Sequence, residues 1–267
     1  MSRRLKLMCV LAHPDDESLG TGGTLARCAD EGIETYVVTA TRGERGRFGD
    51  LPHPGLETVG KTREQELRAA AHLLGVREVN FLDYIDGDLD KADPHEAVMR
   101  IVGHLRRIRP QVVITFGPEG AYGHPDHVAI CQLATAAVMR AADAAYHPDR
   151  HPAHCVSKLY YMEWNAEMMR TYYNAFRELK VLVDGVERAA NPWPDWAITA
   201  VFDTEKYWET VWKAVQCHKT QLSIYKKLGE LPPEAHRILW GRQPYYRVFS
   251  LVNGGRKREH DIFEGLR

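Results

Sequence analysis

Two short apolar segments of this chain end in the same tripeptide, His-Pro-Asp. Residues 7–12 read Leu-Met-Cys-Val-Leu-Ala and continue directly into His13-Pro14-Asp15-Asp16-Glu17. Residues 112–116 read Val-Val-Ile-Thr-Phe and lead through a glycine-containing turn to His124-Pro125-Asp126-His127. Burying charged groups without partners costs several kcal/mol, so a buried strand does not normally end this way. We therefore interpret the two segments as strands that deliver the two halves of one metal site.

The first 165 residues alternate between strand and helix patterns. Repeated strand–helix units favour a mostly parallel sheet with right-handed crossovers and helices on both faces. The predicted fold class is therefore α/β, a Rossmann-like three-layer sandwich. Strands are predicted at 6–12, 33–40, 79–82, 112–116 and 158–163, and helices at 18–31, 61–74, 94–108 and 125–145.

The composition changes near residue 165, because all six tryptophans lie at or after Trp164. Strands at 180–184, 198–202 and 245–252 and a helix at 205–218 are predicted in this part. No stretch is rich enough in proline, glycine and serine to mark a linker. We expect residues 1–165 to form the catalytic core, and residues 166–267 to form an aromatic-rich C-terminal extension packed on it within the same domain.

Composition restricts the class of partner. A formal net charge of −1 argues against broad electrostatic binding to nucleic acid or to an anionic membrane. The five cysteines are odd in number and contain no C-x-x-C, as expected for reduced residues of a cytoplasmic protein. No apolar run approaches the roughly 20 residues of a membrane-spanning helix. We expect a cytoplasmic protein that acts on a small molecule, and the sequence leaves a homo-oligomer open.

The two His-Pro-Asp segments can supply a metal site because ligands of doubly wound sheets bind beyond the carboxyl ends of the strands. Proline is favoured at the first helical position, so His13 and His124 should lie just before their helices. Asp16 and His127, three residues further on, should converge with them. A catalytic zinc takes three protein ligands and leaves one position for water. Nitrogen and oxygen ligands suit Zn²⁺, and also Fe²⁺, Co²⁺ or Mn²⁺.

The segments Ala12-His13-Pro14-Asp15-Asp16-Glu17 and Gly123-His124-Pro125-Asp126-His127 resemble the LmbE/PIG-L family of zinc-dependent N-deacetylases. That family includes the GlcNAc-inositol deacetylase of mycothiol synthesis, mycothiol S-conjugate amidase and the bacillithiol-pathway deacetylases. The resemblance continues into Arg63-x-x-Glu66, Asp86-Gly87 and His218-Lys219-Thr220-Gln221. It implies His13, Asp16 and His127 as metal ligands, and Asp15 as the general base that takes a proton from the attacking water.

The same resemblance implies how charge is handled in the reaction. His124 matches a protonated histidine that stabilises charge and protonates the leaving amine. Asp126 is expected to hold His124 in place and to favour its imidazolium form. Tyr122 matches a mobile tyrosine that donates to the tetrahedral oxyanion.

Four further residues are expected to bind the substrate. Arg63 and Asp86 match positions that grip the sugar hydroxyls, and His218 lies in a matching motif. Arg42 belongs to a loop, residues 41–49, with three glycines and three arginines that could cover a polar or anionic substrate. Without the resemblance, Arg63 would be read as a surface ion-pair residue and Asp86 as a turn residue.

The expected function is that of a metal-dependent hydrolase that removes an N-acetyl group from a glucosamine-type sugar or conjugate. An amidase that cleaves a larger thiol-sugar S-conjugate amide is the alternative among enzymes. A metal- or ligand-binding module without turnover is an alternative of another class, and a two-metal phosphoesterase would hold two ions about 3.5–4 Å apart. Nucleotide binding is disfavoured because position 25 is leucine, which breaks the G-x-G-x-x-G spacing.

Overall fold

A computed structural model describes residues 4–146, 150–176 and 180–267 of the chain. Within them, seven strands form one mixed sheet with helices on both sides, and two further strands form a separate hairpin. The strands are β1 (Lys6–Leu11), β2 (Glu34–Thr41), β3 (Glu78–Tyr84), β4 (Val112–Phe116), β5 (Lys158–Met162), β6 (Lys180–Val183), β7 (Val186–Ala189), β8 (Ala200–Asp203) and β9 (Arg242–Ser250). The helices are α1 (Asp16–Asp30), α2 (Leu56–Leu73), α3 (Pro94–Ile108), the single turn α4 (Gly120–Gly123), α5 (Pro125–Ala142), α6 (Ala166–Phe176), α7 (Trp208–Val215), α8 (Leu222–Gly229) and α9 (Pro233–Trp240).

The strand order in the sheet is β3-β2-β1-β4-β5-β9-β8. Strands β1 to β5 are parallel, whereas β9 runs antiparallel to both β5 and β8. The chain builds outward from β1 to β3 and then crosses back to β4, so the topological switch point lies between β1 and β4. The predicted α/β, Rossmann-like class with a mostly parallel sheet is confirmed.

Burial explains why the central strands read as continuous apolar runs. Leu7 to Leu11 in β1 are fully buried, and Val112 to Ile114 in β4 are as well. Helices cover both faces of a parallel sheet, so alternating polar residues have no place in its middle strands. The carboxyl ends of β1 and β4 are the first positions where polar side chains reach an open space.

The C-terminal third departs most from the predicted elements. The strand expected at 180–184 exists as β6, but it pairs with β7 in the separate hairpin. The helix expected at 205–218 is shorter, since α7 spans only Trp208–Val215. Helices α6, α8 and α9 were not predicted. In the described part of the chain, no helix combines the length and the apolar character needed to cross a membrane.

Candidate active site

The two His-Pro-Asp segments meet at the switch point. Strands β1 and β4 pair directly, with Leu7 opposite Val112 and Cys9 opposite Ile114. His13 follows β1, and His127 lies in the first turn of α5, which follows β4. As a result, Nδ1 of His13 lies 3.1 Å from Nε2 of His127, although the residues are 114 positions apart.

Asp16, the first residue of α1, lies beside these two imidazole nitrogens. Its Oδ1 lies 3.6 Å from His127 Nε2, and its Oδ2 lies 3.9 Å from His13 Nδ1. The backbone N–H groups of Ala12 and His13 donate to Oδ2 at 3.1 and 2.8 Å, which fixes the carboxylate. Zinc bonds of about 2.0–2.2 Å in a tetrahedron place ligand atoms roughly 3.3–3.6 Å apart. The two distances from Asp16 are to different oxygens of its carboxylate. Single ligand atoms lie within 4.8 Å of one another in two groups, His13 with His124 and His127, and His13 with Asp86 and Asp126, so His13 is the centre of a cluster that can hold a metal ion.

The second nitrogen of His13 is held by carboxylates. Its Nε2 lies 3.0 Å from Asp126 Oδ2 and 3.1 Å from Asp86 Oδ1. A carboxylate on one imidazole nitrogen orients the other nitrogen toward a metal and raises its basicity. The Asp126 carboxylate is expected on His124 from the sequence, but the structure places it against His13. Only the backbone N–H of Asp126 donates to His124, at Nδ1 and 3.2 Å.

The electrostatics of this cluster suit a cation. Burial acts to lower the pKa of His13, but Asp126 and Asp86 outweigh it and hold the pKa well above 6.5. Burial raises the pKa of Asp16 to about 7, against the opposing effect of His13. Burial and the neighbouring His13 hold the pKa of His127 well below 6.5. The carboxylates thus favour positive charge at His13, which a metal ion bound at Nδ1 would supply in place of the proton there, while the imidazole of His127 stays neutral and able to bind a metal.

Tyr122 and His124 approach the ligand set from the turn between β4 and α5. Ring centroids of Tyr122 and His127 lie 5.4 Å apart, and those of His124 and His13 lie 4.8 Å apart. Burial, followed by the charge of His13, lowers the pKa of His124 to about 4. His124 is therefore neutral at pH 7, whereas the sequence led us to expect its imidazolium form. Gly120 permits this turn, because its φ is +62° and a Cβ there would lie 2.9 Å from the backbone nitrogen of Val128.

Asp15 lies beside the ligand set in a strained conformation. Its φ of 109° is in the left-handed region, which side chains other than glycine rarely adopt. Its backbone N–H donates to Glu17 Oε2 at 2.9 Å. Its Oδ2 accepts from Arg63 Nη2 at 2.9 Å and from the Tyr225 hydroxyl at 2.6 Å. Tyr225 carries no motif that would mark it, so the sequence reasoning missed it.

A cavity of about 590 Å³ opens from this cluster. Arg63 and Asp86, which the sequence assigned to substrate binding, both lie on its wall. Arg63 also donates to the carbonyl oxygens of Pro14 and Gly43 at 2.6 and 2.9 Å, so its guanidinium is largely occupied by the protein. Arg47, from the loop after β2, also lines the cavity. Further lining residues follow β5 or lie later in the chain, among them Glu163, Trp164, Tyr172, Gln221, Ile224 and Tyr225.

Two residues expected to bind substrate lie elsewhere. His218 is fully buried, and its Nε2 bonds to Glu17 Oε1 at 2.8 Å. Arg42 donates to Glu64 at 2.7 Å and to Asp83 at 2.6 Å, outside the cavity. His218 therefore supports Glu17 beneath Asp15, and Arg42 stabilises the surface between β2 and α2.

The fold and the site together define an α/β protein with a group of histidines and aspartates able to hold a metal ion at the switch point of its sheet. Residues 8–138 match the family model PIG-L, described as GlcNAc-PI de-N-acetylase. A relative from Streptomyces avermitilis, 1D-myo-inositol 2-acetamido-2-deoxy-alpha-D-glucopyranoside deacetylase, is 32% identical over 98% of this chain and 97% of its own length. The chain belongs to the PIG-L family, which confirms the resemblance stated from its motifs.

Other relatives show how the chemistry of similar chains varies. A mycothiol S-conjugate amidase from Streptomyces coelicolor is 29% identical over 100% of this chain and 99% of its own length. Among solved structures, the N,N'-diacetylchitobiose deacetylase of Pyrococcus horikoshii superposes with a TM-score of 0.70 at 20% identity. The match covers 91% of this chain and 83% of the deacetylase chain. A 4-carboxy-2-hydroxymuconate hydratase from Pseudomonas putida has a TM-score of 0.67 at 22% identity, covering 94% and 99%. The fold alone therefore does not determine the reaction.

Proposed function

We propose that this protein is a metal-dependent N-deacetylase that hydrolyses the acetamide of a glucosamine-type sugar or conjugate. The observation that carries the proposal is the close approach of His13, Asp16 and His127, which lie 3.1–3.9 Å from one another, with the Asp15 carboxylate beside them on the wall of the cavity. The deacetylase from Streptomyces avermitilis, similar over nearly its full length, supports the sugar-linked acetamide as the substrate class. A volume of about 590 Å³ is typical of a small-molecule site.

Amide hydrolysis needs an activated water, stabilisation of the oxyanion and a proton for the leaving nitrogen. A divalent cation held by His13, Asp16 and His127 would lower the pKa of a water and polarise the acyl carbonyl. Asp15 then acts as the general base. Its Oδ2 already accepts hydrogen bonds from Arg63 and Tyr225, so Oδ1 is the oxygen that receives the proton.

Tyr122 and His124 handle the charge that develops on the substrate. The hydroxyl of Tyr122 stays protonated because burial raises its pKa far above neutrality, so it can donate to the oxyanion. His124 is neutral in the free protein and must gain a proton before it can donate one to the amine. Negative charge forming on the acyl oxygen favours that protonated state, so the acid role belongs to the later part of the reaction.

A second candidate is the release of a larger acyl group, as in an amidase. Two observations favour it: the full-length similarity to the mycothiol S-conjugate amidase, and a cavity that extends from the cation site past Glu163 and Trp164. The two candidate functions differ in the size of the acyl group that is released from the substrate.

We further propose that the cation is Zn²⁺ and that the protein works in the cytoplasm on small molecules. The histidine and carboxylate donors support Zn²⁺, although Fe²⁺, Co²⁺ and Mn²⁺ share this preference. All five cysteines, each within the described ranges, are free thiols, which fits a reducing compartment. Metal analysis of the protein purified without chelator identifies the ion.

Acetate release from a panel of N-acetylglucosaminides tests the proposal. We expect release that a chelator abolishes and Zn²⁺ restores, and an Asp15→Asn variant that binds metal normally but loses roughly 10²–10⁴-fold in kcat. Asp83→Asn is the matched control, because Asp83 also has a positive φ, 61°, but lies on the surface. A metal-loaded Asp15→Asn protein with near wild-type turnover contradicts the base assignment. Release of only larger acyl groups selects the amidase.

A further inference from the structure

We propose that Tyr225 is a positioning residue that fixes the Asp15 carboxylate and selects which of its oxygens reacts. The inference rests on the proposed function, since it concerns the general base of that reaction. It gives α8, in the C-terminal third of the chain, a direct part in the catalytic machinery that the two His-Pro-Asp segments do not reveal.

The geometry points to different roles for the two carboxylate oxygens of Asp15. The Tyr225 hydroxyl donates to Oδ2 at 2.6 Å, and Arg63 Nη2 donates to the same atom at 2.9 Å. A carboxylate oxygen that accepts two hydrogen bonds, one of them from a cation, is less basic than its free partner. Oδ1 therefore becomes the proton acceptor, and the two donors hold it in one orientation.

Tyr225 is placed to act on Asp15 rather than only to fill space. It is 8% exposed, lies on the cavity wall and carries its hydroxyl within hydrogen-bond reach of a carboxylate that is itself 8% exposed. Burial and the Asp15 charge both raise the pKa of Tyr225 well above 10, so its hydroxyl stays a donor at neutral pH. A phenylalanine would fill the same volume without this hydrogen bond.

The start of α8 is anchored so that the Tyr225 hydroxyl has a defined position. Thr220 donates to Glu66 through its backbone N–H at 2.8 Å and through its hydroxyl at 2.7 Å. Gln221 Nε2 donates to the backbone oxygen of Arg47 at 2.8 Å. Glu66 lies one turn from Arg63 on α2, so the turn that precedes α8 is anchored to the helix that carries the other donor to Asp15.

Steady-state kinetics of Tyr225→Phe test this role. We expect kcat to fall roughly tenfold to a hundredfold, as for the loss of a hydrogen bond to a charged group, with KM and bound metal unchanged. Tyr161→Phe is the matched control: its hydroxyl bonds to Thr135 at 3.0 Å away from the cavity, and its kcat should match wild type. A Tyr225→Phe enzyme within about twofold of wild type in kcat overturns the proposal.

A double-mutant cycle shows whether Tyr225 works through Asp15. If it does, Asp15→Asn/Tyr225→Phe turns over at the rate of Asp15→Asn alone, because the carboxylate that Tyr225 positions is already gone. Losses that multiply in the double variant overturn the proposal.

Crystal structures of wild type and Tyr225→Phe give a readout that does not depend on activity. We expect the Asp15 carboxylate to rotate in the variant, since only Arg63 still binds Oδ2. An unchanged carboxylate orientation overturns the positioning role. Absence of deacetylase and amidase activity in the wild type would refute the proposed function, whereas the crystal structures would still decide the role of Tyr225.

Discussion

Glu259 offers a test of how far one buried carboxylate stabilises this fold. It is 1% exposed and lies 2.6 Å from Lys158 Nζ and 2.9 Å from Arg247 Nη1. Glu259→Gln keeps the size of the side chain but leaves the fully buried Lys158 without a counter-charge. Removing one partner of a buried pair costs about 3–5 kcal/mol. Each kcal/mol shifts the Tm of a protein of 150–250 residues by roughly 2–4 °C, so we expect Tm to fall by roughly 6–20 °C.

Thermal unfolding followed by circular dichroism or calorimetry measures this shift. The matched control is Asp30→Asn, which removes an aspartate that pairs with Lys206 at 3.0 Å on the surface. Solvent and salt screen that pair, so its Tm should stay close to wild type. Equal Tm shifts for the two variants would refute the reasoning, since burial would then make no difference.

The same carboxylate gives the prediction a pH dependence. Burial acts to raise the pKa of Glu259, but hydrogen bonds from Asn253, Lys158 and Tyr160 outweigh it and hold the pKa below 4.5. A folded pKa below the unfolded one means that the stabilisation is complete above about pH 4.5 and is lost as pH falls through the folded value. The Tm difference between wild type and Glu259→Gln should therefore shrink in melts recorded below pH 4.5.

Two further variants address the loop after β2. Gly43→Ala should lower kcat, because its Cβ would lie 2.0 Å from Nη1 of Arg63, whereas Gly49→Ala should not, since nothing lies within 4 Å. The φ angles of the two glycines are +67° and +63°, so equal kinetic losses would assign the effect to backbone strain instead. Arg42→Ala should leave KM for N-acetylglucosaminides within about twofold of wild type, because its guanidinium bonds to surface carboxylates. A large rise in KM would return Arg42 to the substrate site.

Local signals determined which elements the sequence could predict. Helix α3 begins and ends as predicted, because the Asp93 side chain caps it, Pro94 takes its first position and Arg109 leaves it in a left-handed conformation. Strand β4 also matches its predicted bounds, since both of its faces are buried. The fold class followed from such segments and the family from the two His-Pro-Asp motifs, and both are confirmed.

The elements of the C-terminal third were harder to predict, because their sequence signals are weaker or were overlooked. Asp184 and Gly185 have φ values of 52° and 77°, as in the type I′ turn that Asp-Gly favours, so the β6–β7 hairpin had a readable signal. Helix α8 had none as clear, since no side chain caps its start. Its position depends on tertiary contacts such as that of Thr220 with Glu66.

Part of the candidate site was predictable as a set of residues, but Tyr225 was missed, and His218 and Arg42 lie outside the cavity. The sequence brought His13, Asp16 and His127 together, because strand ends and helix starts fix where backbone goes. The spacing of residues along the sequence does not determine which side chains of different elements contact each other, so the contact of Asp126 with His13 could not be foreseen. The burial of His218 on Glu17 depends in the same way on long-range packing.

The left-handed backbone of Asp15 is a local strain that its side-chain contacts have to offset. With φ of 109° and ψ of −25°, this residue occupies a region that glycine enters freely and that costs other residues on the order of 1–3 kcal/mol. Glycine at position 15 would relieve this strain, but it would also leave the buried guanidinium of Arg63 without the carboxylate that lies 2.9 Å away, a loss of about 3–5 kcal/mol. The ion pair with Arg63 therefore outweighs the backbone strain, and gains in heat resistance have to be sought at other positions of the chain.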